Sequence, residues 1–171
     1  GDAMALAKAV ERLVRDVGPC STCGMYSVED PCLVCTDPRR DAATILVVEQ
    51  TRDCISLEET GAYRGVYHVL GGHIDHVAGE EAEHLRIDRL VERVRAADTN
   101  SRAVPVIEII LGLNPTLEGD ATAALVTERL RSTGVRLSRL ARGLPTGTQL
   151  EYANRAVLSD AIAGRSPVAP D

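Results

Sequence analysis

The sequence predicts an α/β protein: a parallel sheet with helices on both faces, preceded by an N-terminal helix and a small metal-binding module. Three observations predict it. Short aliphatic runs at Ile45–Val48, Val66–Leu70, Val104–Leu113 and Val135–Leu140 alternate with stretches of helical periodicity, the pattern of strand–helix–strand units. The first of these runs is apolar at every successive position, as a strand buried on both faces requires. Upstream of it, four of the five cysteines fall into two Cys-x-x-Cys pairs, Cys20/Cys23 and Cys32/Cys35.

The elements follow in order. Ala5 to Asp16 has apolar Leu6, Ala9, Val10, Leu13, Val14 and then Val17 at three- and four-residue spacing, which predicts a helix. Gly18-Pro19 stops it. Asp37-Pro-Arg-Arg-Asp41 is a polar link into the first strand, which ends in Glu49. Asp53 to Glu59 is a short helix closed by Gly61. The second strand is followed by Gly71-Gly72, and Leu85 to Ala97 is an amphipathic helix. Asn114-Pro115 breaks the third strand. Glu118 to Ser132 is a helix ended by Gly134, leading into the fourth strand. Connections between parallel neighbours are expected to be right-handed crossovers.

The two cysteine pairs are separated by eight residues. Four thiolates at this spacing converge tetrahedrally on one Zn²⁺, each pair wrapping one side of the ion. Gly24 and Pro31 supply the turns that such knuckles need. Two disulfides or a redox pair are the alternatives, but a disulfide framework suits short secreted chains and a redox pair opens a helix directly after a strand. Four sulfurs close the site, so the metal is expected to fold the chain rather than carry chemistry.

Composition narrows the function classes. The chain of 171 residues is 44% hydrophobic, without Trp or Phe, so its core must be aliphatic. A net charge of −6 argues against a chain-wide electrostatic grip on nucleic acid, although all but Lys8 of the 19 Lys and Arg residues are Arg and can cluster locally. No apolar run has the length of a bilayer span and no signal-peptide core is present. With metal-bound cysteines this predicts a cytoplasmic protein without membrane contact.

A second candidate site is acidic. Ligands of open parallel sheets sit at the carboxyl ends of the strands. Glu49 closes the first strand, Asp53 follows one helical turn later, and Glu118 and Asp120 enter a helix after the third strand. Such carboxylates hold Mg²⁺ through oxygen ligands and retained waters. Alternatively, Glu118 and Asp120 complement a helix N-terminus, where negative charge is favoured by about 0.3–1 kcal/mol. Glu49, at the end of a buried strand, must be either exposed or paired.

Taken together, Ile45-Leu-Val-Val-Glu49, Thr60-Gly-Ala-Tyr-Arg-Gly-Val-Tyr-His-Val-Leu70, Asn114-Pro-Thr-Leu-Glu-Gly-Asp-Ala-Thr122, Ala141-Arg-Gly-Leu-Pro-Thr-Gly147 and Leu150-Glu-Tyr-Ala153 closely resemble the RecR recombination-mediator family, over about Leu6 to Arg165. The resemblance implies a Toprim domain preceded by a four-cysteine zinc finger. It divides the chain into an N-terminal helix (1–17), the finger (18–37), the Toprim domain (41–141) and a C-terminal segment (142–171). The Toprim pattern of a strand-end Glu and an Asp-x-Asp pair reads here as Glu49 and Glu118-x-Asp120. The resemblance further implies a non-enzymatic, oligomeric scaffold that acts with RecO- and RecF-like proteins to place a recombinase on gapped or single-stranded DNA, with the acidic residues as partner-docking or metal-binding positions. Family members carry an N-terminal helix-hairpin-helix that binds DNA backbone. The sequence begins beyond it, which weakens the expectation of DNA binding by this polypeptide. Toprim enzymes supply the competing reading, a Mg²⁺-dependent nuclease using Glu49, Glu118 and Asp120. A third is a shortened paralogue that only oligomerises or regulates a full-length partner.

Remaining features are weighed likewise. His73, Asp75, His76 and nearby His84 offer a second metal site, although loop histidines without a fixed scaffold are usually solvated. His68 is expected in the core or at its rim, and Cys54 as a small buried hydrophobe. Tyr63, Tyr67 and Tyr152 are expected to be structural. Arg86, Arg89, Arg93 and Arg95, interleaved with Asp88 and Glu92, predict a solvated helix face or a stripe facing DNA or a partner.

Overall fold

The structure, a computed structural model, describes residues 2–75 and 82–168. Helix α1 (Asp2–Asp16) is followed by a two-stranded antiparallel ribbon, β1 (Gly18–Pro19) and β2 (Tyr26–Ser27), and by the single turn α2 (Leu33–Thr36). The α/β unit then runs β3 (Asp41–Val48), α3 (Thr51–Glu59), β4 (Gly65–Val69), α4 (Ile87–Arg95), β5 (Glu108–Leu111), α5 (Leu117–Leu130) and β6 (Arg136–Arg139). Its sheet has the order β4-β3-β5-β6, with β3 parallel to both β4 and β5. No described helix is long and apolar enough to cross a membrane.

The centre of the sheet follows from the run Ile45–Val48. Alternate side chains enter opposite faces: Ile45 and Val47 join the cluster built with α4 and α5, while Leu46 and Val48 join Cys54 of α3 and Tyr67 and Val69 of β4. Each fully buried aliphatic side chain contributes about 1.5–3 kcal/mol relative to exposure. The third strand is shorter than its sequence run. Pairing with β3 begins at the Thr44–Glu108 register, because Val104–Ile107 is occupied in leaving a pair of 3-10 turns and Pro105 has no amide to donate.

Caps explain the helix ends. Gln50 caps α3 in a capping box, its backbone N–H donating to the Asp53 carboxylate at 2.8 Å. Thr116 caps α5, its hydroxyl accepting from the Gly119 N–H at 3.1 Å, and Gly134 ends the following turn at a φ of 73°. Helix α1 has the predicted amphipathic pattern, yet none of its described residues is buried.

The ribbon and α2 cover the edge of β4. The Val69 N–H donates to the Cys23 carbonyl at 2.7 Å, and Met25 and Val34 pack against the cluster around Leu46 and Tyr67. An edge strand with all five residues buried is thereby completed by the cysteine module.

The described residues from Arg139 onward, 139–168, form a second compact unit. It contains the 3-10 turn Leu150–Tyr152 and helix α6 (Arg155–Ala163), capped by the Asn154 side chain accepting from the Val157 N–H at 2.9 Å. Tyr152 is 75% exposed, so its expected structural burial does not occur.

Candidate metal centre and the strand-end carboxylate

The two Cys-x-x-Cys pairs close on each other. The ligand atoms of Cys20, Cys23, Cys32 and Cys35 all lie within 4.8 Å of one another, and all four residues are buried. Cys23 Sγ and Cys32 Sγ are 3.6 Å apart, far beyond a disulfide bond, and all five cysteines are free. Zn–S bonds of about 2.3 Å in a tetrahedron separate the sulfurs by about 3.8 Å. The donor set therefore fits zinc. Four thiolates can coexist in this space only with a cation between them.

Local geometry makes the knuckle. Gly24 has a φ of 79°, and a Cβ there would strike the Arg86 guanidinium and approach the Val69 carbonyl to 2.8 Å. The Cys32 N–H donates to Cys20 Sγ at 3.3 Å, so backbone amides as well as sulfurs organise the cluster.

The Glu49 carboxylate is 3% exposed and lies where β3 and β5 diverge, the point at which the strand order reverses. Glu49 Oε1 accepts from the Asn114 backbone N–H at 2.8 Å, and Oε2 accepts from Asn114 Nδ2 at 2.7 Å. His73 Nδ1 sits 3.1 Å from Oε2. Gly119 is required beside them: a Cβ would strike the Asn114 carbonyl and reach Glu49 Oε1 at 3.3 Å. The acid is thus paired rather than exposed.

The other acidic residues are placed differently. Asp53 caps α3, while Glu118 and Asp120 lie in the first turn of α5. Among the described residues, the four cysteines are the single set of three or more Cys, His, Asp or Glu side chains whose ligand atoms converge, so Glu49, Asp53, Glu118 and Asp120 form no such set. His73 pairs with Glu49, His84 is exposed, and His76 lies outside the described residues. Cys54 is buried as expected, its thiol pushed up to about 12 by desolvation.

Sequence reasoning missed a polar network. Arg93 is 2% exposed. It donates to Asn100 Oδ1 from Nε at 3.1 Å and from Nη2 at 2.8 Å, and to the Tyr67 carbonyl at 2.8 Å. Its Nη1 also lies 3.2 Å from His68 Nδ1, and His68 Nε2 lies 2.9 Å from the Arg86 carbonyl. Arginine has no acceptor, so His68 accepts at Nδ1 and donates from Nε2 as a neutral ring. Burial and the neighbouring Arg93 charge lower the His68 pKa to about 3.

The expected solvated arginine face holds for Arg89 and Arg95, which are exposed, and is corrected for Arg93, which is buried, and Arg86, which is half-buried. Arg86 donates to the Gly24 carbonyl at 2.7 Å, Arg89 to the Ser21 carbonyl at 3.1 Å, and Arg93 lies in the core. Their spacing, three then four residues, aligns them on one face of α4, and that face looks at the cysteine module. Arg102 reaches the module from the loop before β5, donating to the carbonyls of Cys35 at 3.2 Å, Asp37 at 2.7 Å and Arg40 at 2.6 Å. The spacing was visible in the sequence; the surface opposite was not.

Comparison with known proteins agrees with this geometry. Residues 17–37 match the sequence model of the four-cysteine zinc finger domain of RecR, and residues 43–141 match that of the Toprim domain. Among its relatives is the recombination protein RecR of Rhodopirellula baltica, 44% identical over 164 residues that cover 96% of this chain and 79% of the relative. Those of Chloroflexus aggregans (47% over 163 residues, 95% and 76%) and Bifidobacterium longum subsp. infantis (43% over 164 residues, 96% and 78%) are similar to the same extent. A buried four-cysteine cluster completing the edge of a parallel α/β sheet, together with these matches, makes the chain a zinc-binding member of the RecR family of recombination proteins.

Proposed function

We propose that this protein is a non-enzymatic scaffold of recombinational DNA repair in the cytoplasm. It acts as a homo-oligomer with RecO- and RecF-type partners at gapped or single-stranded DNA to help load the recombinase. In this reading Cys20, Cys23, Cys32 and Cys35 are the zinc ligands, and the finger (18–37), the Toprim domain (41–141) and the C-terminal segment (142–171) are its working parts.

The observation that carries the proposal is the environment of Glu49. A Toprim enzyme needs the strand-end acid available to a metal or to a reacting group. Both oxygens of Glu49 are instead engaged by Asn114 and His73, and the carboxylate is buried. This supports a structural carboxylate at the switch point; Asp53, Glu118 and Asp120, at the ends of the neighbouring helices, are proposed as partner-docking positions.

The test is a gel shift with single-stranded and gapped DNA, alongside pull-down with RecO- and RecF-type proteins. Binding of a partner or of a partner–DNA complex is expected. Absence of both with zinc in place overturns the reading, as does Mg²⁺-dependent nicking that disappears in Glu49→Gln.

A further inference from the structure

Arg93 is a buried cation whose immediate partners are all neutral. Its guanidinium meets the Tyr67 carbonyl, His68 Nδ1, Asn100 Oδ1 and, at 3.5 Å, Ser101 Oγ. Among the described residues it has no carboxylate. Removing a charge from water costs several kcal/mol unless an opposite charge compensates it. The path from Arg93 leads to the cysteine cluster: Ser101 lines one cavity together with Cys35, and the adjoining Arg102 donates to the Cys35 carbonyl at 3.2 Å.

Four thiolates on one divalent ion leave a net dianion. That charge is itself buried, and it faces Arg93 through Ser101, Arg86 through the Gly24 carbonyl and Arg102 through the Cys35 carbonyl. Arg86 and Arg102, like Arg93, have no carboxylate partner among the described residues, whereas Arg89 is paired with Glu92. We propose that Arg93, supported by Arg86 and Arg102, is the counter-charge of the zinc tetrathiolate. The finger is then docked on the Toprim core by the charge of the metal centre as well as by packing, and zinc occupancy is communicated to the β4–α4 core. Without the metal that dianion is not assembled, and Arg93 is left buried without its opposing charge.

The experiment is metal competition on the whole chain, with Co²⁺ as an optical probe and a chromogenic chelator to order zinc affinities. The cobalt spectrum of the parent protein establishes the ligand set first; a spectrum without four-thiolate character overturns the ligand assignment and with it the pairing. Arg93→Met is expected to weaken zinc binding about 10- to 100-fold, the usual effect of losing an outer partner of a metal ligand. Arg93→Lys is expected to recover most of that loss, because it restores the charge with a different hydrogen-bond pattern. Arg95→Gln, on the same helix but directed at Ser132, is expected to change nothing. Equal losses in the Met and Lys variants, or none in Met, overturn the proposal. If Arg93→Met does not fold with zinc present, the half-buried Arg86→Gln and Arg86→Lys pair gives the same reading.

Discussion

Asn114 holds Glu49 with two nitrogens at once, its backbone N–H on Oε1 at 2.8 Å and its Nδ2 on Oε2 at 2.7 Å. This pair bridges the crevice between β3 and β5, the position at which open parallel sheets receive their ligands. Hydrogen bonds to a charged acceptor contribute about 1.5–3 kcal/mol. Asn114→Ala, which keeps the backbone donor and removes the side chain, is therefore expected to lower stability by about 2 kcal/mol. Urea unfolding with an unchanged slope and a lower midpoint would register this loss; an unchanged midpoint would contradict it.

Gly119 is fixed by the same pair. Gly→Ala in an exposed helix ordinarily stabilises. Here the added Cβ strikes the Asn114 carbonyl and presses on Glu49 Oε1, so Gly119→Ala is expected to destabilise by about 1–3 kcal/mol. A thermal midpoint equal to or above the parent's would refute the close packing of this turn.

His68 gives the protein a pH dependence of known sign. Its folded pKa of about 3 lies below the ordinary 6.5, so the folded state disfavours the charged ring. Above pH 6.5 both states hold His68 neutral and its contribution is complete. As pH falls from 6.5 toward 3, the unfolded chain binds a proton that the folded chain refuses, and stability declines by at most about 1.4 kcal/mol per pH unit. Urea midpoints at pH 7.5 and pH 5.5 are expected to differ more in the parent than in His68→Gln; equal differences would exclude His68 as the source.

The loop that carries Arg102 is strained, since Arg102 and Ala103 both have a φ of 54°. A left-handed conformation costs a residue with a side chain about 1–2 kcal/mol. Ala103→Gly is expected to stabilise by up to about 1 kcal/mol. Arg102→Gly relieves the same strain but removes the grip on three carbonyls, so it is expected to destabilise. Calorimetry that ranks the two variants the other way would disprove the stabilising role of the Arg102 contacts to these carbonyls.

Zinc removal tests the edge of the sheet. Cys20→Ser is expected to lose zinc, the binding of which contributes about 10–16 kcal/mol in isolated finger peptides. Because Val69 donates to the Cys23 carbonyl, its amide is expected to exchange with solvent faster once the finger opens. Protection at Val69 that survives metal loss would mean that the finger does not complete β4.

Much of the protein was legible in one dimension because its signals are local. Ile45–Val48 announces a strand buried on both faces, and the structure divides those residues between the two cores. The cysteine spacing specifies a tetrahedral donor set, because two short knuckles cannot spread their sulfurs far apart. Element ends were legible only where a cap or a glycine marks them, as at Gly134; the start of β5 depended on how the preceding turns leave the chain.

The residues that were misread share one cause. The i, i+3, i+7 spacing of Arg86, Arg89 and Arg93 defines a face of α4 but carries no information about what lies opposite. The same pattern suits water, nucleic acid or a metal cluster. Glu49 was recognisable as a carboxylate that must be exposed or paired, yet its partners come from residues 114 and 73, far away along the chain. The sequence by itself determined the α/β alternation, the zinc ligand spacing and the family. Only the tertiary structure decided that the strand-end acid is closed off by Asn114 and that Arg86 and Arg93 turn inward while Arg89 and Arg95 stay exposed, because burial and charge pairing are properties of surfaces that meet only after the chain has folded.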